Sequence, residues 1–383
     1  MHLHSLSLVN FKNYPAAELM FSSGVNAFTG NNGEGKTNLL DAVHYLALCK
    51  SYFNPSDVQN IRQGEDFFVV QGNFELNNVP EMVSCGFKRG QKKVLKRNQK
   101  EYERLADHIG MIPVVMISPT DSTLITDGSE ERRKFLDSII SQFNPHYLDD
   151  LINYGRVLSQ RNAYLKQAFQ SRRFDIDSLS IWDEQLIPLG NRIFDVRKEF
   201  VEAMLPIFRH YYNFISGGKE EVEIRYDSYL VDDTFSVQLA NALEKDRIMQ
   251  YTTVGTHKDD LLFMIGGFPA KRFASQGQQK SFLVALKLAQ FDYMAKQKGM
   301  KPILLLDDIY DKLDDKRISR LMELVSKHNF GQIFITDTHT ERVLEIFDRI
   351  QVDIKCFFLQ GGNIEVCKDV HHPSYAAENS NPS

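Results

Sequence analysis

Eight residues near the N-terminus, Gly30-Asn31-Asn32-Gly33-Glu34-Gly35-Lys36-Thr37, satisfy the spacing G-x-x-x-x-G-K-[ST] at each fixed position. A loop of that spelling works between a strand and a helix, so it commits its surroundings to an α/β layout. The flanks comply. Val25 to Thr29 is a short apolar run, and Leu39, Leu40, Val43, Leu46 and Ala47 recur at helical spacing. Glycines let backbone N–H groups approach phosphate oxygens closely, and the following helix points its partly positive end at them. The pattern predicts a nucleotide site running from Gly30 through Thr37 to Asn38. There Lys36 contacts the β- and γ-phosphates, and the Thr37 hydroxyl ligates Mg²⁺.

Composition sets outer limits. The chain has 383 residues, 43% hydrophobic and 25% charged, which leaves room for two or three domains. No apolar run approaches the ~18 residues of a membrane span. His2 to Asn10 alternates as a strand and lacks the layout of a signal peptide. A cytoplasmic protein without membrane partners is expected. Cys49, Cys85, Cys356 and Cys367 include no C-x-x-C pair, so neither a cysteine zinc site nor a disulfide framework is predicted.

The second half of the nucleotide site is expected far downstream, where the apolar strand Ile303 to Leu306 ends in Asp307 and Asp308. A carboxylate at that strand end can hold Mg²⁺ through water, which is the role read for Asp307. Asp308, beside it, would polarise the attacking water. Between the two motifs, Ser275-Gln276-Gly277-Gln278-Gln279-Lys280 opens a helix whose apolar positions Phe282, Leu283, Leu286, Ala289 and Phe291 share a face. Ser and Gly at a helix start form another anion site, suited to the nucleotide of a second subunit, or alternatively a plain capped helix end. Asp311-Lys312-Leu313-Asp314 follows the acid pair. After the strand Gln332 to Ile335 comes Thr336-Asp337-Thr338-His339, where His339 is read either as a γ-phosphate contact or as an ordinary loop histidine.

In this order the motifs resemble the ABC-type ATPase heads of the SMC group, and most closely the RecF family of bacterial recombination-repair ATPases. The resemblance runs from about residue 3 to residue 345. Its most specific pieces are Leu8-Val9-Asn10-Phe11-Lys12-Asn13-Tyr14 with the loop ending Thr37 to Ala42, then Ser118-Pro119 leading to Glu131 through Asp137. The others are His257-Lys258-Asp259-Asp260-Leu261 and the Ser275 to Gln279 segment with Leu306-Asp307-Asp308. The resemblance implies a dimer formed on ATP that hydrolyses it slowly and binds DNA at gaps or single-strand to double-strand junctions. It also implies partnership with RecR-like and RecO-like mediators that place RecA on single strands.

The separation of Lys36 from Asp307 exceeds what an ABC head needs, so an inserted lobe is expected. Leu148, Leu151, Ile152, Leu158, Leu165 and Phe169 form one helical stripe. Trp182, Leu186, Leu189, Ile193, Phe200, Met204 and Ile207 form another, and the polar stretch from Gln170 to Asp177 connects them. Two antiparallel arms of ~35 Å follow from ~1.5 Å per residue. The expected architecture is an α/β ATPase lobe from residues 1–105 and 250–370, a mainly helical insert over 106–249, and a disordered tail over 371–383.

The net charge of −5 offers no general attraction to DNA, yet it is unevenly spread. Between Lys88 and Arg104 stand eight basic residues against Glu101 and Glu103. Arg89-Gly90 reads as a hairpin turn that would display Lys88, Arg89, Lys92, Lys93, Lys96 and Arg97 on a ribbon. Such a ribbon either contacts phosphates without reading sequence or protects a sheet edge. Arg132 and Arg133 are secondary candidates, with a structural role at a helix start as the alternative. Three functions compete on these residues: an ATP-gated DNA clamp, an ABC-type switch that regulates a protein partner without touching DNA, and, ranked last for want of a nuclease module or helicase motif set, an enzyme acting on DNA strands.

Overall fold

A computed structural model of the chain describes residues 1–218, 220–309, 315–326 and 330–370. The Asp311 to Asp314 segment and the tail 371–383 lie outside the described residues. The chain begins with β1 (His2–Phe11), β2 (Tyr14–Met20), β3 (Val25–Gly30) and α1 (Lys36–Leu48). Strands β4 (Phe67–Leu76), β5 (Val79–Lys88), β6 (Val94–Arg97), β7 (Lys100–Glu101) and β8 (Val114–Ile117) follow. Helices α2 (Thr123–Thr126), α3 (Ser129–Phe143), α4 (Pro145–Ser171) and α5 (Ile176–Ser216) come next. After them stand β9 (Val222–Asp227), α6 (Phe235–Met249), β10 (Asp260–Ile265), β11 (Phe268–Pro269), α7 (Ala270–Phe273) and α8 (Gln276–Lys298). The last elements are β12 (Ile303–Leu306), α9 (Asp315–Ser326), β13 (Ile333–Asp337), α10 (Thr340–Arg349), β14 (Ile354–Gln360) and β15 (Asn363–Val370).

Internal contacts divide the chain into two compact units, one of residues 1–121, 214–217 and 280 onward, the other of 122–213 and 218–279. These divisions fall later along the chain than the expected 105/106 and 249/250. The reason is pairing: β8 joins a sheet of the first unit, while β10 pairs with β9 of the second.

The first unit holds two six-stranded sheets. One is antiparallel, ordered β2-β1-β4-β5-β6-β7; the other, ordered β15-β14-β3-β13-β12-β8, is parallel apart from β15. Helix α1 packs against strands of both. Such a helix must be apolar all round, and Leu39, Leu40, Ala42, Val43, Tyr45, Leu46 and Ala47 have no exposed surface. Each large apolar side chain buried this way contributes about 1.5–3 kcal/mol. Strands β3 and β12 are buried along their whole length, as expected of central parallel strands covered on both faces.

The second unit combines α2 to α4, most of α5, α6 and α7 with the three-stranded sheet β11-β10-β9. Ion pairs Asp150–Arg192 and Arg161–Asp183 match early residues of α4 with later ones of α5, an antiparallel arrangement. Two details differ from the sequence reading. Helix α5 continues to Ser216 through Pro188 and Pro206, so at ~1.5 Å per residue it is ~60 Å long. On α4 the buried face is Tyr147, Tyr154, Val157, Arg161, Leu165 and Ala168, whereas Ile152 and Phe169 are exposed. Arg161, fully buried between Asp183 and Asp246, shifts that face away from the purely apolar stripe.

Candidate functional site

The site belongs to the first unit, at the carboxyl ends of four neighbouring parallel strands. β3 ends in Gly30, β8 is followed by Ser118, β12 by Asp307, and β13 carries Thr336 and Asp337. In an open parallel sheet these ends form the crevice where ligands bind. Gly30 has φ 136°, and a Cβ on it would come within 2.3 Å of the Leu359 carbonyl oxygen. Gly35, at φ 99°, is the N-cap of α1, and a Cβ there would lie 2.3 Å from the Asn13 amide nitrogen.

No side chain caps α1 at this end; the Asn38 N–H turns back to the Gly35 carbonyl at 2.9 Å, and the amides ahead of it precede the helix's own hydrogen-bond ladder. A phosphate supplies what the geometry lacks. Lys36, 6% exposed, donates from Nζ to the Gly30 and Asn31 carbonyls at 2.7 and 2.8 Å, closing over the loop. Burial lowers its pKa, opposed by the carboxylates of Asp308, Asp337 and Asp307.

Thr37 Oγ1 donates to Asp307 Oδ1 at 2.7 Å, joining residues 270 positions apart. The same carboxylate accepts from Thr336 Oγ1 at 3.0 Å and Ser118 Oγ at 3.3 Å. Burial raises the Asp307 pKa, while these three hydroxyls and the Lys36 ammonium pull it down. A buried carboxylate beside the Thr37 hydroxyl is a hard oxygen set of the kind Mg²⁺ takes, together with waters and phosphate oxygens. Asp308 follows in the left-handed region at φ 45°, its N–H donating to Thr336 Oγ1 at 2.9 Å. That conformation costs a non-glycine residue about 1–2 kcal/mol, and strain of this kind clusters at functional positions.

Asp337 is gripped by Arg342, Nη2 to Oδ1 at 2.7 Å, and accepts the His339 N–H at 2.7 Å. His339 is the N-cap of α10, with its side chain 69% exposed and Nδ1 2.8 Å from Thr338 Oγ1. Glu34 accepts the Gly361 N–H at 2.7 Å. Asn38 Nδ2 donates to Asn13 Oδ1 at 2.7 Å, Asn13 Nδ2 donates to the Glu34 carbonyl at 3.2 Å, and Tyr14 donates to the Gly35 carbonyl at 3.1 Å. The turn after β1 therefore braces the loop from outside. Ser118, Thr336, Asn13 and Tyr14 carry no site role in the sequence reading; Ser118 and the Asn13-Tyr14 pair enter it as family-like motifs alone.

In the second unit, Ser275 Oγ accepts the Gln278 N–H at 3.2 Å and Gln278 Oε1 accepts the Ser275 N–H at 2.6 Å. This reciprocal capping box opens α8. Gln278 Nε2 also donates to Glu220 at 2.7 Å, and Ser275 and Gln276 are exposed beside Gly277.

The basic ribbon is a real hairpin, β5 pairing antiparallel with β6 across a turn in which Gly90 has φ 74°. Its cations are not equivalent, which corrects the even display expected of them. Lys93 turns inward, donating to Asp57 at 2.9 Å and to the Cys49 carbonyl. Arg97 Nε donates to Glu81 at 2.8 Å in a forked pair that raises its pKa. Lys88, Arg89, Lys92 and Lys96 stay exposed. Arg132 forks onto Asp260 at 2.6 and 3.0 Å, and Arg133 donates to the Asp259 carbonyl at 2.6 Å, so both fill the structural role.

A phosphate loop and acid pair on a parallel sheet, with a capped Ser-Gln-Gly-Gln start to a long helix, define an ATPase head of the SMC and ABC class. The family model described as RecF/RecN/SMC N terminal domain matches residues 2–356. The DNA replication and repair protein RecF of Flavobacterium johnsoniae is 52% identical over 359 residues, covering 94% of this chain and all of that protein. A solved structure of the recombination mediator protein RecF with ATP, in the RecFOR pathway, aligns at TM-score 0.87 and 30% identity over 96% of this chain and 97% of that one. An Smc head domain from Pyrococcus furiosus, 16% identical at TM-score 0.56 with 95% of both chains covered, shares the fold. The chain belongs to the RecF family. Among the described residues no helix is long and apolar enough to cross a membrane.

Proposed function

We propose that this chain is an ATP-gated DNA clamp of recombinational repair. Two copies close on ATP over gapped or junction DNA, hydrolyse it slowly, and hand the site to RecR-like and RecO-like mediators in the cytoplasm so that RecA can load. The observation that carries the reading is the Thr37–Asp307 hydrogen bond, with Thr336 and Ser118 on the same carboxylate. It welds the phosphate loop to the acid pair within one sheet. The name and ATP complex of the RecF neighbour support the pathway.

In this reading the backbone of Gly30 to Asn38, including Asn31, Asn32, Gly33, Glu34 and Gly35, cradles the phosphates. Lys36 leaves its loop carbonyls to neutralise them. Thr37 and Asp307 hold Mg²⁺, which supplies charge neutralisation at the phosphate oxygens. Asp308 accepts a proton from water at its carboxylate, and His339, exposed at the head of α10, lies open to a γ-phosphate. Ser275, Gln276, Gly277 and Gln278 of one copy offer a second anion-binding helix start to the nucleotide of the other. A single subunit rarely needs two phosphate-binding helix ends for one nucleotide, so the second is assigned to a partner's nucleotide, which makes ATP the switch for dimerisation. Lys88, Arg89, Lys92 and Lys96 meet DNA phosphates. The pairing of Lys93 with Asp57 and of Arg97 with Glu81 favours the competing reading, a switch acting on a protein partner alone.

Solution mass measured with and without ATP–Mg²⁺, on the Asp308→Asn variant and with a gapped duplex, tests this. A monomer that becomes a dimer and retains DNA supports the clamp. A dimer that ignores DNA transfers the assignment to the protein switch, and a mass indifferent to ATP overturns the shared role of Ser275.

A further inference from the structure

At the far end of β1 from the turn that braces the phosphate loop, His2, His4 and Glu75 bring their donor atoms within 4.8 Å of one another. His2 and Glu75 are direct partners across the β1–β4 ladder. The register then slips between Leu3 and Ser5, which makes His4 the extra residue of a β-bulge. Both imidazoles are half-exposed, while Leu3 between them is buried. The rings sit 4.0 Å apart between centroids, with His2 Nδ1 3.9 Å and His4 Nε2 3.6 Å from the Glu75 carboxylate.

The backbone beneath them is pinned. Gln332 Oε1 accepts the Leu3 N–H at 2.7 Å, Gln332 Nε2 donates to the Leu3 carbonyl at 2.8 Å, and the His4 carbonyl accepts the Phe21 N–H at 2.8 Å. A tetrahedral zinc ion with bonds of about 2.0–2.2 Å asks for donors roughly 3.3–3.5 Å apart. The present spacing, up to 4.8 Å, exceeds that value by roughly 1.3–1.5 Å, so side-chain torsions must bring the donors together over the pinned backbone.

We propose that His2, His4 and Glu75 form a binding site for a late first-row divalent cation of the zinc type, with water at the fourth position. Two imidazoles and one carboxylate suit zinc and exclude magnesium, which prefers oxygen donors throughout. This site is therefore chemically separate from the one at Thr37 and Asp307. Occupancy ties β1 to β4.

Calorimetric titration of Zn²⁺ into the untagged full chain, repeated on His4→Ala and Glu75→Gln, decides the matter. The expected result is one site with a dissociation constant on the order of 1 μM. Each variant should weaken it beyond the roughly 10–100-fold that removing an outer-shell partner produces. Zn²⁺ should raise the melting temperature of the parent chain only, since binding stabilises the state that holds the site. ATP binding should be equal in all three proteins, because none of these residues touches the loop. Variants that bind Zn²⁺ like the parent, or a parent without a micromolar site, overturn the proposal.

Discussion

At the residue scale, the unexpected weight falls on Thr336. Its single hydroxyl donates to Asp307 and accepts from the Asp308 N–H, so one oxygen sets the position of both acids. Thr336→Val keeps the shape and removes that oxygen, so the part-buried Asp308 N–H loses this hydrogen bond, at a cost of about 1–3 kcal/mol. Turnover of ATP is expected to drop about 10-fold, equivalent to about 1.4 kcal/mol in the barrier. ATP affinity should move little, because the loop amides and Lys36 are untouched. Steady-state kinetics beside equilibrium binding separates the two, and a variant that loses affinity in step with turnover would show that Thr336 serves the loop instead. Thr336 was hidden in the sequence for a physical reason. Gly30, Gly35, Lys36 and Thr37 share one continuous turn and so obey a spacing rule, whereas Thr336 and Ser118 meet Asp307 because β8, β12 and β13 lie side by side. Strand order, which no local pattern encodes, brings them together.

At the element scale, helix α8 carries more than its capped first turn. Lys287, 4% exposed, lies 2.7 Å from the equally buried Asp121 and donates to the Tyr52 hydroxyl at 3.0 Å, and Tyr52 in turn donates to Asp121. Asp121 also accepts the Ser118 N–H at 2.8 Å, and Ser118 reaches Asp307. The helix is thus wired through Asp121 and Ser118 to the Asp307 carboxylate. Lys287→Met strands the Asp121 charge and is expected to destabilise the protein by about 3–5 kcal/mol. Adding Asp121→Asn should recover part of that loss, since the uncompensated charge is gone. Urea unfolding of both variants measures it; a double variant no better than the single would mean that packing around the lysine stem, not charge, holds α8 here. The amphipathic reading of α8 found its apolar members because they recur every three or four residues, and Phe282, Leu286, Ala289 and Phe291 are all fully buried. It missed Lys287, and it misjudged the face of α4, for a common reason. Periodicity counts apolar residues, and a buried cation such as Arg161 or Lys287 registers as surface.

At the scale of the whole molecule, the balance is between a chain of net charge −5 and a hairpin that projects Lys88, Arg89, Lys92 and Lys96. A uniformly acidic surface would repel DNA, so the clamp reading requires an attraction that is local and fades quickly with salt. Each phosphate neutralised by such a cation releases counterions and contributes about −0.9 to the slope of log affinity against log salt on duplex DNA. If all four engage, replacing them together by glutamine flattens that slope by roughly 3–4. Affinity should fall by orders of magnitude at low salt, with dimerisation on ATP preserved because the phosphate loop is unaltered. Lys93 and Arg97 provide the internal control. Their partners Asp57 and Glu81 already neutralise them, so Lys93→Gln and Arg97→Gln should alter stability rather than the salt slope. An unchanged slope in the fourfold variant assigns the hairpin to protecting the end of a six-stranded sheet from edge-to-edge pairing. A reduced slope accompanied by intact dimers places the DNA on the antiparallel sheet. ATP would then act by bringing two such ribbons onto one duplex, which raises the effective concentration of each for the other.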